Sequence, residues 1–478
     1  KDGLRTLVIR YFGHMGFVEI SRTDIKFTYS PSHLIIHLVE NFQSAGPIVI
    51  FSRIHWNLME RLPLLLLQPP GACREFTRSG SCYPPLGLCQ LAAMVTEKEC
   101  LVLDADGLNI SFEETLSQVL SINPIAVGLT LTTYTFEMIE KITLPIFEAG
   151  IDILIGGPQA TLDPKGTMER LPHVRWVFCG EAEEQMQEIV DRLDQGRDFA
   201  GISGILSKFD SIVERQMIED FSELPFPRYE GLPFDAYWCP DAKSAPMVTV
   251  MTARGCPHRC GFCSSPALLG RKVRGWDVEQ VLDHLEYLVN DLGIKEISFV
   301  DDVFTINRKR LVALCEGIVE RNIEFTWFCN SRADQVNQIV AKFSSDAGCH
   351  QMYLGFESGD QRILDDIVNK DATLEELING ADLLKKYGIN RSVGFVIGLP
   401  TENEESVQSS LELAFRVKPE RIQFTRWTPL VASPLADFVS TTSHKTFHGR
   451  EGIKDEIDYW IQMLYDSVEP EPWGAASW

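Results

Sequence analysis

Two series of short apolar runs, each run followed by an amphipathic helical pattern, constrain this 478-residue chain more than any single motif. The first series reads LPLLLLQ (62–68), CLVLDAD (100–106), PIAVGLTLT (124–132), IDILIGG (151–157) and RWVFCGE (175–181). Apolar runs this short, closed by turn residues, suit strands buried on both faces of a parallel sheet. The stretches between them carry helical spacing, and Ser111 with Glu114 forms a capping box for one helix. Five strands alternating with helices predict a doubly wound, Rossmann-like α/β domain over 62–198, with its ligand crevice at the strand carboxyl ends. The second series is PMVTVMTA, EISFVDD, FTWFCNS, QMYLGFE, SVGFVIG and RIQFTRW, within 246–435. Six βα units predict a partial (β/α)6 barrel whose chemistry sits on the loops after the strands.

Residues 199–245, rich in proline and aromatics, read as a linker. Residues 1–61 are an N-terminal segment without a motif, in which TLVIRYF, HLIIHLVENF and PIVIF suit strands or short helices. A C-terminal extension, 436–478, is polar with one helix expected around 453–466. The chain opens on Lys1, so its natural start is expected upstream, and residues 1–20 show no signal-peptide core. No apolar run is long enough for a membrane helix. Forty-four basic against 67 acidic residues leave a net charge of −23, which argues against nucleic acid and anionic membranes as partners. Twelve cysteines are thinly spread except at 256–263, a pattern that fits a reducing, cytoplasmic compartment with one metal site.

That cluster reads GCPHRCGFC (255–263), placing Cys256, Cys260 and Cys263 on the loop after the first barrel strand. Thiolates suit zinc or iron–sulfur clusters. A structural zinc site needs four ligands, usually as two separated pairs, and no second pair follows. His258 falls inside the first spacing, where a zinc knuckle would be cramped. Three incidental cysteines are the bland alternative, but Gly255 and Gly261 shape the loop for tight turns.

The CxxxCxxC spacing, with Phe262 before the last cysteine, resembles the radical SAM superfamily. The resemblance implies a [4Fe-4S] cluster held on three irons by Cys256, Cys260 and Cys263, with S-adenosyl-L-methionine chelating the fourth. It extends along the barrel. SFVDDVF (298–304) offers Asp301 and Asp302 near the cofactor; GFESG (355–359) offers Glu357 to the ribose; VGFVIGLPTE (393–402) offers Gly394, Ile397 and Gly398 to the adenine. Taken singly, a strand-end carboxylate is more often a cap or an ion pair; their joint register carries the resemblance.

The first domain is similar to the cobalamin-binding domain of class B, B12-dependent radical SAM enzymes. The residues matched are Tyr83, Pro84, Leu86 and Gly87 in YPPLGL, Asp104 and Asp106 in DADGLN, and Thr130, Thr132 and Thr133 in LTLTT. Gly156 and Gly157 in IGGPQAT and Gly180 and Glu181 in CGEAE complete the set. DADGLN carries no histidine where other cobalamin proteins have DxHxxG, so the lower cobalt face is expected to lack a protein imidazole.

Together these resemblances imply a methyltransferase acting on an unactivated carbon of a small molecule held between the domains. The expected chemistry is cleavage of S-adenosyl-L-methionine to a 5′-deoxyadenosyl radical, hydrogen abstraction, and methyl delivery from methylcobalamin. A flavodoxin- or ferredoxin-type protein is the expected electron donor. An oxidative cyclase like the anaerobic magnesium-protoporphyrin ester cyclase, and a non-enzymatic cobalamin or metal carrier, are the alternatives. A tRNA methylthiotransferase is disfavoured, because 62–198 holds no second cysteine set. Trp276, Phe328, Tyr353 and Trp427 suit a cavity lining or packed core, and Arg271, Arg274 and Arg332 suit anion clamps or surface positions.

Overall fold

The computed structural model describes residues 26–30, 33–37, 61–74, 81–207, 214–436 and 456–469. Residues 1–60 form one compact unit and residues 61–478 another. In the first, β1 (Lys26–Ser30) and β2 (His33–His37) pair antiparallel. TLVIRYF and PIVIF, and most of the polar 436–478 extension, lie outside the described residues.

The second unit begins with a six-stranded sheet. Its strands are β3 (Leu64–Gln68), β4 (Cys100–Asp104), β5 (Ala126–Thr130), β6 (Asp152–Gly156), β7 (Trp176–Phe178) and β8 (Ile205–Ser207), in the order β4-β3-β5-β6-β7-β8. The first five are parallel, as the apolar runs require, and both faces are buried under helices. Strand order reverses between β3 and β5, the switch point at which such sheets bind ligands. β8 pairs antiparallel with β7, so the sheet extends past residue 198. Three residues without alternation gave no sequence signal for it.

The barrel sheet comprises β9 (Met247–Val250), β12 (Glu296–Phe299), β13 (Thr326–Arg332), β14 (Cys349–Glu357), β15 (Asn390–Ile397) and β16 (Arg421–Arg426). All six are parallel, in the order β16-β15-β14-β13-β12-β9. Outward-facing residues such as Trp327, Cys329, Phe395 and Ile397 pack into one core with the surrounding helices. Between β9 and β12, β10 (Ala253–Arg254) and β11 (Arg274–Gly275) form a small antiparallel ladder that brackets the cysteine loop. A helix, Glu456–Val468, closes the described chain, and its Ile457 abuts Gly398.

The segment between the domains is structural wall. Ile218, Phe221, Leu224 and Tyr229 are buried in the barrel core. Arg228 donates to the Cys100 carbonyl at 2.8 Å, and Tyr229 to the Thr249 carbonyl at 2.8 Å. Tyr237 reaches back to Asp104 at 2.7 Å, and Trp238 exchanges backbone bonds with Cys82.

Candidate functional site

The cysteine loop is tied down at both ends and in the middle. Cys256 N donates to the Gly270 carbonyl at 3.0 Å and Cys263 N to the Cys260 carbonyl at 3.1 Å. Gly261 donates to the Val368 carbonyl at 2.7 Å and accepts from Leu435 N at 2.9 Å. A side chain at Gly261 would strike the Ile367 carbonyl of the π-helical turn Ile363–Val368, which explains the glycine inside the motif. Phe262 packs against the buried cluster of Ile363, Val368, Leu399, Trp427 and Leu435.

The three thiols lie within electrostatic reach of one another, Cys263 of both Cys256 and Cys260. Burial pushes all three up, Cys263 to about 11. Among the described residues no three His, Cys, Asp or Glu side chains are grouped to hold a single metal ion. Ligands of a multi-iron cluster each grip a different iron, and so stand further apart than donors gathered ~2.3 Å from one ion. Three soft sulfur donors on one loop fit an iron–sulfur cluster by their chemistry. A cation stands beside the thiols: Arg332 Nη1 lies 3.6 Å from Cys260 Sγ, and its Nη2 donates to the carbonyl of buried Lys370. His258 is turned to the Gln335 amide at 2.9 Å, away from a fourth-ligand role.

The expected cofactor carboxylates divide. Asp302 accepts from Ser265 Oγ at 2.5 Å, while its Oδ2 is buried without a partner beside Cys256 and Cys263. Such an orphan acceptor suits an ammonium group. Asp301 has both oxygens engaged by Thr252, each at 2.6 Å, and burial pushes it to about 6. It anchors the loop after β9. Glu357 sits at a register shift in β14 with φ 66°, paired with Lys370 Nζ at 3.0 Å. Gly394 shares an inward face with Val396 and abuts the Tyr353 hydroxyl, whereas Ile397 faces the outer core.

Glu402, which ends the same motif, accepts from the Gly398 and Leu399 amides. Burial pushes it to about 7, and its Oε1 is buried without a partner. A carboxyl raised from 4.5 contributes full stability below that value and loses it as pH rises through about 7. Melting temperatures taken from about pH 5 to 8 should therefore fall more in the wild type than in Glu402→Gln; parallel curves would contradict this.

In the first domain, Thr132 and Thr133 meet the barrel, whereas Thr130, Gly156 and Gly157 pack within the domain. A cavity of about 370 Å³ is lined by Ala72, Thr132, Thr133, Pro158 and Gln159 on one side and by Ser264, Leu430 and Val431 on the other. Thr133 donates to Gln159 at 2.9 Å. Gly157 has φ 95° and lies so close to Thr130 and Leu131 that no side chain fits. The short helix after it, Pro158–Leu162, packs on Ser265–Leu269, the helix after the cysteine loop. Gly87 is exposed, with open space where a side chain would stand, next to half-buried Tyr83 and Leu86 and buried Pro84. A wider depression of about 660 Å³ opens at the opposite, amino end of the barrel strands, away from the cysteines.

Other expected cobalamin residues are engaged by the protein. Asp104 accepts from Gly107 N and Tyr237, and Asp106 from Gly71 N at 2.8 Å and Cys73 N at 3.0 Å. Gly180 is pressed against the Gln216 backbone. Glu181 receives Arg274 through both guanidinium nitrogens at 2.8 and 3.0 Å, and Ile218 N at 2.6 Å. Burial pushes its carboxyl up, but Arg274 and Arg254 outweigh this and hold it low. Lys370, Arg254 and Glu183 carry no motif signal of their own, although Arg254 directly precedes the cysteine motif and Glu183 lies inside CGEAE.

The family model of the radical SAM superfamily matches residues 250–414, and that of the B12 binding domain matches residues 76–190. An uncharacterized methyltransferase of Pyrococcus horikoshii is 35% identical over 388 residues, 80% of this chain and 83% of its own length. The anaerobic magnesium-protoporphyrin IX monomethyl ester cyclase of Rubrivivax gelatinosus is 27% identical over 369 residues, 74% of this chain and 66% of its own. Among solved structures, the radical S-adenosylmethionine methyltransferase TsrM of Kitasatospora setae, with tryptophan substrate and a SAM analog bound, aligns with a TM-score of 0.66. It is 18% identical and covers 82% of this chain and 79% of its own, a likeness of fold.

Proposed function

This chain belongs to the radical SAM superfamily and carries a B12 binding domain, and from that premise we propose that it methylates an unactivated carbon of a small molecule. One observation supports the reading: Ser264, the residue after the last cysteine, lines a mostly apolar cavity together with Thr132 and Thr133 from the carboxyl-end loop of the first sheet, and the helix after the cysteine loop packs on Pro158–Leu162. When bound, a [4Fe-4S] cluster, S-adenosyl-L-methionine and cobalamin would supply radical generation and a transferable methyl group. Cys256, Cys260 and Cys263 would hold the cluster. Asp302 would take the ammonium end of the sulfonium cofactor on its unpartnered oxygen. Thr132 and Thr133 would border the corrinoid, on the loop that the close-packed Gly157 turn supports. The apolar walls at Leu430, Val431 and Pro158 would shield a carbon radical on that side.

The test is anaerobic turnover with methyl-labelled S-adenosyl-L-methionine and candidate substrates. Labelled carbon in the product, with 5′-deoxyadenosine and S-adenosylhomocysteine released together, is the expected result. The likeness to the ester cyclase favours a second reading, oxidative cyclisation. That reading predicts oxygen from labelled water in the product and no new methyl group.

A further inference from the structure

We propose that Glu181 is a positioning residue: it sets the distance and orientation between the Gly156–Gly157 turn of the first domain and the cysteine loop of the barrel. The inference rests on the reading that the cysteine loop and the loop this turn supports border cofactors, and goes beyond it by naming what holds them in register.

Glu181 follows β7 of the first sheet and is 8% exposed. Its two oxygens receive the Arg274 fork, with Arg254 at 3.4 Å and Ile218 N as further partners. Glu183 takes the other nitrogen of Arg254. These arginines belong to β10 and β11, the ladder that brackets the cysteines, and Arg254 stands two residues before Cys256. The connection runs on into the loop itself. Arg274 also donates to the Leu269 carbonyl at 2.8 Å, and Gly270, the next residue, accepts from Cys256 N. Arg215, from the same strap as Ile218, donates to the Ala267 and Leu268 carbonyls, and so closes the helix that packs on Pro158–Leu162.

Stability alone does not explain such a hub. Burying two carboxylates and two guanidiniums costs desolvation that apolar packing would avoid. What a bidentate arginine fork adds is direction, because its bonds hold only in one plane and one register. A substrate that must give a hydrogen atom to one cofactor's radical and take a methyl group from the other needs that: a misplacement of ~1 Å can cost ~10²-fold in rate.

The test uses the full chain with its cluster reconstituted and cobalamin bound, comparing Glu181→Gln with the unchanged protein. The first readout needs no turnover: the magnetic interaction between cob(II)alamin and the reduced cluster in electron paramagnetic resonance. A changed interaction at unchanged iron and cobalamin content is expected. In turnover, methylated product per 5′-deoxyadenosine should fall roughly tenfold or more. An unchanged interaction overturns the inference, and so does a proportional loss of both products, which marks a merely structural role. Should Glu181→Gln fail to fold, Arg274→Lys, which keeps the charge and loses the fork, is read in the same way. A wild type that makes no methylated product would sink the methyl-transfer reading only, because the magnetic measurement still decides this one.

Discussion

Cys260→Ala is expected to lose reductive cleavage of S-adenosyl-L-methionine by more than ~100-fold, since removing even an outer partner of a metal ligand costs 10–100-fold. The site explains why no neighbour can substitute. His258 is engaged with Gln335, and none of the carboxylates near the loop offers a soft sulfur donor. Anaerobic reconstitution should also return fewer irons per chain than the wild type takes up. Cys315→Ala, deep in the outer barrel core, is the control and should behave as wild type in both measurements. Four irons and undiminished 5′-deoxyadenosine from the Cys260 variant would remove the basis of the proposed function.

Lys370→Met should cost ~3–5 kcal/mol of stability, the usual penalty for leaving a buried charge without its partner. Lys370 is 2% exposed and pairs with Glu357, which is itself buried beside Gly355 in left-handed backbone. Denaturant unfolding measures the loss. Adding Glu357→Gln should recover most of it, because the penalty belongs to the stranded carboxylate more than to the missing contact. A Lys370→Met protein within ~1 kcal/mol of wild type would show that the pair is solvated in solution.

The strands were legible because parallel sheets bury both faces, and runs such as LLLL at 64–67 admit few other readings. The cysteine loop was legible because ligand spacing is local. Partnership across the fold is not local. Asp104 meets Tyr237 from 133 residues away, and Glu181 meets Arg274 from 93 residues away. A strand-end carboxylate looks the same in sequence whether it faces a cofactor or a guanidinium. Ile397 is a different case: the period-two alternation of β15 already separates it from Gly394, and a motif read as a block hides that parity. Lys370 gave no signal at all, since a lysine in the polar run VNKDAT predicts solvent.

The stretch between the sheets has a consequence for traffic. It is mortared into both halves, through the side chains of Tyr229 and Tyr237 and the backbone of Trp238 on one course and Ile218 and Phe221 on another. The halves are therefore not jaws on a hinge. A bulky guest must arrive through gaps that leave this masonry standing, or wait for a rare breach of it. Release would then be slow on the timescale of loop motion.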